Sequence, residues 1–310
     1  MVSLAHAYTE RSLTASTIVA KKQLSDGIVE FTVRAPVIAD TAKAGQFVRV
    51  LPWDGGELIP LTIADWDTKA GTICLVVQGM GTSSILMNKM EVGDALAGVA
   101  GPLGLPSHVE SYPDDKTVVF TAGGLGLPPV FPIARAHLEL GNHVTLIAGF
   151  RSESLMFWTG EGERVTELKA KYGDLLDVVY ATNDGSLGYK GFVTGPLEEM
   201  LEANKAGKGR PLAEIVTIGP PFMMRAVSDL SKPYGVKCVA SLNSIMVDAT
   251  GMCGACMVPV EIEGKPVRKH ACIDGPELDS HIIDWDKFLP RFNLFKTQEK
   301  NSMDRHELVK

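Results

Sequence analysis

Three of the five cysteines fall within one stretch, Asp248 to Cys272, which reads DATGMCGACMVPVEIEGKPVRKHAC. Cys253 and Cys256 are spaced C-x2-C, and Cys272 follows after a hairpin-like insert. With Asp248 included, the frame is Asp248-x4-Cys253-x2-Cys256…Cys272. That matches the C-x4-C-x2-C…C spacing of a plant-type [2Fe–2S] loop, with a carboxylate in place of the first thiolate. Ala249, Gly251, Gly254 and Ala255 are small and allow backbone N–H groups close to cluster sulfides. Two other chemistries use the same residues. A structural zinc site could take C-x2-C, one further Cys and an Asp, although zinc more often takes a second C-x2-C or His. Reduced cysteines without metal are the third. The spacing favours the cluster.

A second chemistry lies in glycine-bearing turns. Gly123-Gly124-Leu125-Gly126-Leu127-Pro128-Pro129 comes close to G-x-G-x-x-G but ends in proline, so the dinucleotide fingerprint is incomplete. Glycine still allows close backbone approach to a pyrophosphate, and proline suits a first helical turn. Turn geometry alone would also account for these glycines. Thr182-Asn183-Asp184-Gly185-Ser186-Leu187-Gly188 and Gly219-Pro220-Pro221 are two more such turns. A fourth candidate is Gly81-Thr82-Ser83, opening the helical run GTSSILMNKM, whose free N–H groups suit an anion. A plain capped helix is the alternative.

The elements that position these residues follow from the pattern. From residue 12 to about 105 the runs STIVAKKQL, IVEFTVRA, QFVRVLP, LIPLTIAD, TICLVVQG and DALAGVAGP are short and β-branched, with turn residues between them. They predict a barrel or sandwich. Residues 106–116 read as a linker. Beyond it strands and helices alternate, from TVVFTAG and LPPVFPIARAHLELG through to VKCVAS, which predicts a parallel sheet with helical crossovers. Ligands of such sheets sit beyond the carboxyl ends of the strands, where the glycine turns fall. The predicted fold is an all-β barrel (1–106), an α/β parallel-sheet nucleotide domain (107–240), a small C-terminal iron–sulfur subdomain (241–285) and a charged tail (286–310) with no assigned role.

The 310 residues carry a net charge of −7, with 45% hydrophobic and 22% charged residues. This is ordinary for a globular protein and gives no footprint for nucleic acid. No apolar run reaches membrane-span length, and MVSLAHAYTERS lacks the features of a signal peptide. Clustered free cysteines suit a reducing compartment, so a cytoplasmic location is expected. Cys74 and Cys238, in strand-like runs, read as small buried residues. The seven histidines are scattered, and no Ser/His or Cys/His constellation is evident.

Barrel, nucleotide domain and cysteine loop, in that order, resemble the ferredoxin–NADP reductase superfamily. More narrowly, the chain resembles the branch holding the electron-transfer subunit of dihydroorotate dehydrogenase. The likeness extends to the small FAD/[2Fe–2S] subunits of NADH-dependent ferredoxin:NADP oxidoreductase and sulfide dehydrogenase. It covers roughly residues 10–285 at the level of motif order. It rests on Ile59-Pro60-Leu61-Thr62-Ile63-Ala64-Asp65, Gly123-Gly124-x-Gly126-x-x-Pro129, the Thr182–Gly188 turn, Gly219-Pro220 with Met223, and the Asp248 loop. Asp as first ligand resembles the oxidoreductase small subunit, whereas four cysteines are expected in the dihydroorotate branch.

The resemblance implies roles. Pro60, Leu61 and Thr62 would line the flavin of FAD, with the Thr62 hydroxyl near the reactive ring nitrogen. Val76 and Val77 would face it through backbone. Gly81, Thr82 and Ser83 would hold the pyrophosphate, without the basic residue often found there. Gly123, Gly124 and Gly126 would approach the nicotinamide dinucleotide, and Asp184, Gly219, Pro220 and Met223 would complete that site. Asp248, Cys253, Cys256 and Cys272 would bind the cluster. Relatives commonly read Thr-Asp-Asp-Gly-Ser where this chain has Asn183, which weakens the charge that repels a 2′-phosphate. Arg151 with Ser152 could contact such a phosphate. NAD(H) stays ahead, and NADP(H) remains open.

The implied function is electron passage between NAD(H), FAD and a [2Fe–2S] cluster, the protein placing and tuning its cofactors rather than supplying an acid or base. The implied partner is a larger flavin/iron–sulfur subunit, with ferredoxin reached through it, and bifurcation as the overall reaction. The electron-transfer subunit of dihydroorotate dehydrogenase, a sulfide dehydrogenase or hydrogenase complex, and a zinc-bearing structural subunit are the alternatives.

Overall fold

A computed structural model describes residues 16–113 and 116–306. The N-terminal residues read above for a leader, and His6 with them, lie outside the described residues.

Seven strands form the first half: β1 (Ile18–Ser25), β2 (Ile28–Arg34), β3 (Phe47–Leu51), β4 (Ile59–Thr62), β5 (Asp65–Asp67), β6 (Thr72–Gln78) and β7 (Gly98–Leu103). They make two antiparallel sheets, ordered β1-β2-β6-β5 and β4-β3-β7. Period-two alternation turns Phe31, Val48, Val50, Ile73, Leu75 and Val77 into one buried cluster, which is what gives the barrel a core. Two short helices ride on it. Pro36 opens α1 (Pro36–Thr41), where a fixed φ and a missing N–H cost nothing. Helix α2 (Thr82–Met87) starts at Gly81 and buries Met87 in the barrel core.

The second half is a seven-stranded sheet. Its members are β8 (Thr117–Gly123), β9 (His143–Phe150), β10 (Leu176–Thr182), β11 (Tyr189–Lys190), β12 (Leu212–Ile218) and β13 (Lys237–Ser241), with β16 (Glu277–Asp279) at one edge. The order is β11-β10-β9-β8-β12-β13-β16, parallel except for the last pair. β8 is buried along nearly its whole length, as expected of a strand covered on both faces. Helices α3 (Leu127–Glu139), α4 (Arg164–Tyr172), α5 (Thr194–Lys205) and α6 (Pro221–Ser231) connect the parallel strands. Strand order reverses between β8 and β12, which creates a crevice at the carboxyl ends of these two strands.

The cysteine loop follows β13. Its insert is a hairpin, β14 (Met257–Ile262) with β15 (Lys265–His270), turning at Glu263-Gly264. After it β16 returns to the large sheet, antiparallel to β13, with Ser241 opposite Glu277. Two helices end the described chain, α7 (Trp285–Phe288) and α8 (Lys296–Arg305). Trp285, Phe288 and Leu289 are buried in the same cluster as Cys256 and Cys272, so the stretch after residue 284 begins inside the core of the cysteine loop.

Barrel and sheet are tied by ion pairs. Arg164 donates from Nη1 to Asp65 Oδ2 at 2.5 Å and from Nη2 to Glu30 Oε1 at 2.9 Å. Arg135 Nη1 reaches Asp65 Oδ1 at 2.7 Å, and Trp158 Nε1 donates to Glu30 Oε2 at 2.6 Å. Cys74 is buried against this network, and its thiol is pushed up mainly by burial. Cys238 is fully buried in the large sheet.

Candidate functional site

The strand-order reversal brings the predicted nucleotide residues together. A Cβ on Gly126 would lie 1.9 Å from the carbonyl oxygen of Ile218, so only glycine lets the turn after β8 pack against the end of β12. A Cβ on Gly219 would lie 3.1 Å from Gly123 Cα, and one on Gly123 would lie 2.5 Å from Met223 Sδ and 3.0 Å from Pro220 Cδ. Gly123, Gly126, Gly219, Pro220 and Met223 are therefore one contact group. Gly124 differs. Its φ is +53°, and nothing lies within 4 Å of where its Cβ would be, so its backbone faces open space over the crevice. Helices of thirteen and eleven residues begin at Leu127 and Pro221, directing their N-terminal ends to the same place. Such ends favour an anion.

Asp184 sits farther along the same edge, after β10. Its carboxylate accepts from the Ser186 hydroxyl at 2.7 Å and the Ser186 N–H at 3.0 Å. The hydroxyl contact, then the N–H, favours the ionised carboxylate and holds its pKa below the usual carboxylate range. The Ser186 hydroxyl in turn accepts from Glu153 N–H at 2.8 Å, and Asp184 N–H donates to the Arg151 carbonyl at 3.3 Å. The turns after β9 and β10 are thus joined, and Arg151 and Asp184 sit on one ledge. Both Ser186 contacts fall on Asp184 Oδ1.

In the barrel, Pro60, Leu61 and Thr62 lie on β4 and are half-buried, opposite Arg49, Val48 and Phe47 of β3. β5 pairs with β6 only as far as Cys74, so the edge of β6 at Val76 and Val77 has no strand partner on that side. The Val77 side chain itself is core, 1% exposed. Thr82 and Ser83 at the start of α2 are buried, and their hydroxyls are engaged. Thr82 Oγ1 donates to Ser302 Oγ of α8 at 2.9 Å, and Ser83 Oγ donates to Glu57 Oε2 at 3.3 Å. Gly81 N–H donates to Ser84 Oγ at 3.0 Å.

In the cysteine loop, Cys256 Sγ and Cys272 Sγ face each other at 3.1 Å, both buried. Burial first, and then its neighbour Cys256, push the Cys272 thiol up to about 12. A bound metal reverses that preference by stabilising the thiolate. Cys253 is exposed. The Asp248 carboxylate accepts from Thr250 N–H and Cys253 N–H, each at 2.9 Å, and is held below its ordinary range first by the Thr250 contact. Its backbone carbonyl accepts from Arg49 Nη1. Among the described residues no three His, Cys, Asp or Glu side chains gather as a preformed metal site. The structure pairs Cys256 with Cys272, and leaves Cys253 and Asp248 on the same loop, hydrogen-bonded to each other. Two facing buried sulfurs, with a third sulfur and a carboxylate on the adjoining loop, form a donor set that fits a thiolate-held centre. His270 lies beside it, with its N–H on Asp274 Oδ2 at 2.7 Å.

Several residues of this region escaped sequence reasoning. Arg49 is the clearest, and its signal was an arginine inside the apolar strand FVRVL. Glu57 and Ser302 carried no signal, because each meets its hydroxyl partner only through the fold.

A barrel tied by the Arg164 and Arg135 ion pairs to a parallel sheet with a glycine crevice, followed by a cysteine loop, defines an NAD-linked oxidoreductase with an iron–sulfur segment. Residues 120–229 match the oxidoreductase NAD-binding domain, and residues 243–284 match the iron–sulfur cluster binding domain of dihydroorotate dehydrogenase B. The chain is 34% identical to the dihydroorotate dehydrogenase B (NAD(+)) electron transfer subunit homolog of Thermotoga maritima, over 93% of this chain and 94% of that protein. It is 38% identical to an uncharacterized protein from the adh 3′ region of Clostridium beijerinckii, over 91% of each. Among solved structures it is similar to a chain of the NADH-dependent reduced ferredoxin–NADP oxidoreductase, studied for flavin-based electron bifurcation. That likeness has 34% identity and a TM-score of 0.81, and covers 94% of this chain and 98% of that one. The chain belongs to the family of dihydroorotate dehydrogenase B electron-transfer subunits and their homologues, within the ferredoxin–NADP reductase superfamily. It is an electron-transfer oxidoreductase subunit, and the cofactors of that class are FAD, an iron–sulfur cluster and NADH. No helix among the described residues is long and apolar enough to cross a membrane.

Proposed function

We propose that this chain is the small subunit of an electron-bifurcating NADH-dependent ferredoxin:NADP oxidoreductase. What supports this most is the likeness to that enzyme's solved chain along nearly the full length of both, combined with Asp248 at the first position of the cysteine frame. When bound, FAD and the cluster supply the two-electron and one-electron chemistry that links NAD(H) to a distant acceptor.

The chain's own residues do the placing. Gly124 and the N-terminal ends of α3 and α6 receive the dinucleotide phosphates. Gly123, Gly219, Pro220 and Met223 close the crevice against water near the nicotinamide. Pro60, Leu61 and Thr62 with the open edge at Val76 and Val77 hold the flavin ring, and Gly81, Thr82 and Ser83 take its diphosphate. Asp248, Cys253, Cys256 and Cys272 hold a [2Fe–2S] cluster. Asp184 and Arg151 set the adenosine end, with NAD(H) preferred over NADP(H). No group needs to exchange a proton with substrate. The partner is a larger flavin/iron–sulfur subunit, which passes electrons on to ferredoxin, and the complex is cytoplasmic.

Anaerobic purification tests this. Flavin bands with broad visible cluster absorption, and a larger flavin/iron–sulfur protein retained with the chain, are the expected result. A colourless protein containing zinc would refute it. A dihydroorotate dehydrogenase catalytic subunit as the retained partner would move the chain to that branch.

A further inference from the structure

Strand β3 is where the candidate flavin strand and the cysteine loop meet. Alternation sends Val48 and Val50 into the barrel core, both at 0% exposure, and puts Phe47 and Arg49 on the opposite face. Phe47 lies in the buried cluster that also contains Ala249, Cys256 and Cys272. Arg49 donates from Nη1 to the backbone carbonyl of Asp248. Its cross-strand neighbours are Pro60 on β4 and Ala100 on β7. Residues directly opposite in an antiparallel pair lie about 5 Å apart at Cβ. One arginine therefore reaches the cysteine loop with its guanidinium while its backbone lies opposite Pro60, the first residue proposed to line the flavin.

Two further features set Arg49 apart from an ordinary surface cation. Its Nε is buried and has no hydrogen-bond partner in the polypeptide. Leaving such a donor unpaired costs about 1–3 kcal/mol, which a merely structural site would relieve by substitution. The second is where its contact falls. Asp248 is gripped at both ends: Arg49 holds its carbonyl, and Thr250 and Cys253 N–H groups hold its carboxylate at 2.9 Å each. The candidate ligand that differs from a thiolate is thus fixed by a permanent positive charge.

We propose that Arg49 is a positioning residue for electron transfer between flavin and cluster. It fixes the loop through the Asp248 carbonyl, and its charge raises the reduction potential of the centre that the loop binds. This rests on the cofactor assignment proposed above. With flavin and cluster bound as proposed, the step it would bear on is the passage of one electron from NADH-reduced flavin to the oxidised cluster, in which no bond would form or break between them. The reduced cluster carries one more negative charge, so a fixed cation nearby favours it. Arginine keeps its charge throughout the working pH range, so the effect is constant rather than switched.

The test uses the full chain, purified anaerobically with its cofactors, as wild type, Arg49→Lys and Arg49→Met. Iron and flavin contents are measured first, then the cluster's EPR spectrum and its midpoint potential by redox titration. Arg49→Met is expected to shift the potential negative and to change the EPR anisotropy. Arg49→Lys, which keeps the charge but not the fork, is expected to recover at least half of the potential shift. If Arg49→Met fails to hold iron, Arg49→Lys alone decides, by an altered EPR anisotropy. Full iron content with wild-type potential and spectrum in the variants would overturn the inference. A wild type without iron would overturn the cofactor assignment instead, and with it this proposal.

Discussion

Thr82 Oγ1 donates to Ser302 Oγ at 2.9 Å across 220 residues of sequence, joining the first turn of a barrel helix to the last helix of the described chain. The hydroxyl it uses is one assigned to the FAD diphosphate. On that proposed assignment, tail and flavin would compete for one donor.

Freeing that donor has a measurable outcome. A single neutral hydrogen bond is worth about 0.5–1.5 kcal/mol net, and 1.4 kcal/mol is about tenfold in affinity. Ser302→Ala is expected to tighten FAD binding to the deflavinated protein by up to about tenfold, and Thr82→Val to weaken it. Flavin fluorescence titration reads both. Equal affinities for wild type and Ser302→Ala would show that the two do not compete.

Arg164 pairs with Glu30 and Asp65 from the barrel, all three side chains being at most 25% exposed. Arg164→Met leaves Asp65 with Arg135, and Glu30 with only the Trp158 N–H, as remaining partners from the nucleotide domain. A loss of about 1–3 kcal/mol in unfolding free energy is expected, smaller than for a fully buried pair. Urea denaturation monitored by tryptophan fluorescence checks it, and an unchanged midpoint contradicts the ion pairs as a clamp.

Glu277 on β16 accepts from the Ser107 hydroxyl at 2.5 Å, and burial raises its carboxyl from 4.5 to about 7. The folded protein thus keeps this proton where the unfolded chain has released it. Its contribution is full below about pH 4.5 and falls as pH rises towards 7. Glu277→Gln removes that slope and is expected to stabilise the protein at pH 8 by on the order of 1–2 kcal/mol. Thermal melts of both proteins from pH 5 to 8 provide the comparison. Parallel curves would mean that Glu277 ionises normally.

Asp248→Cys puts a softer ligand at the first position of the loop. The cluster's EPR signal and potential are expected to change while iron content stays full. If both stay as in the wild type, Asp248 is not a ligand.

Much of this was legible in the sequence because it is local. The cysteine frame, the glycine turns and the run of β-branched strands each lie within a few residues of chain, and strand order placed Gly124 and Gly219 at one crevice. What escaped is long-range. Arg49 meets Asp248 across 199 residues, and nothing within FVRVL names that partner. β16 is only three residues long, too short for a periodic signal, and it joins the large sheet through Ser241 and its neighbours. Helix α8 buries no side chain, so no apolar stripe announces it, and its link to the barrel is a polar contact. Phe288 and Leu289 follow a different rule: their apolar character was visible, but the core that receives them is built by Cys256, Val258 and Cys272.

The contact at Ser302 also sets an order of events during synthesis. Thr82 leaves the ribosome 220 residues ahead of its tail partner. At about 5–20 residues per second, that gap lasts from roughly ten seconds to most of a minute. Throughout it the barrel can fold with the hydroxyl at Thr82 uncovered. If Thr82 takes the FAD diphosphate as proposed, a nascent chain would meet flavin without a rival, whereas a finished chain that has lost its flavin would first have to break the Thr82–Ser302 contact. Reloading is expected to be slower than first loading.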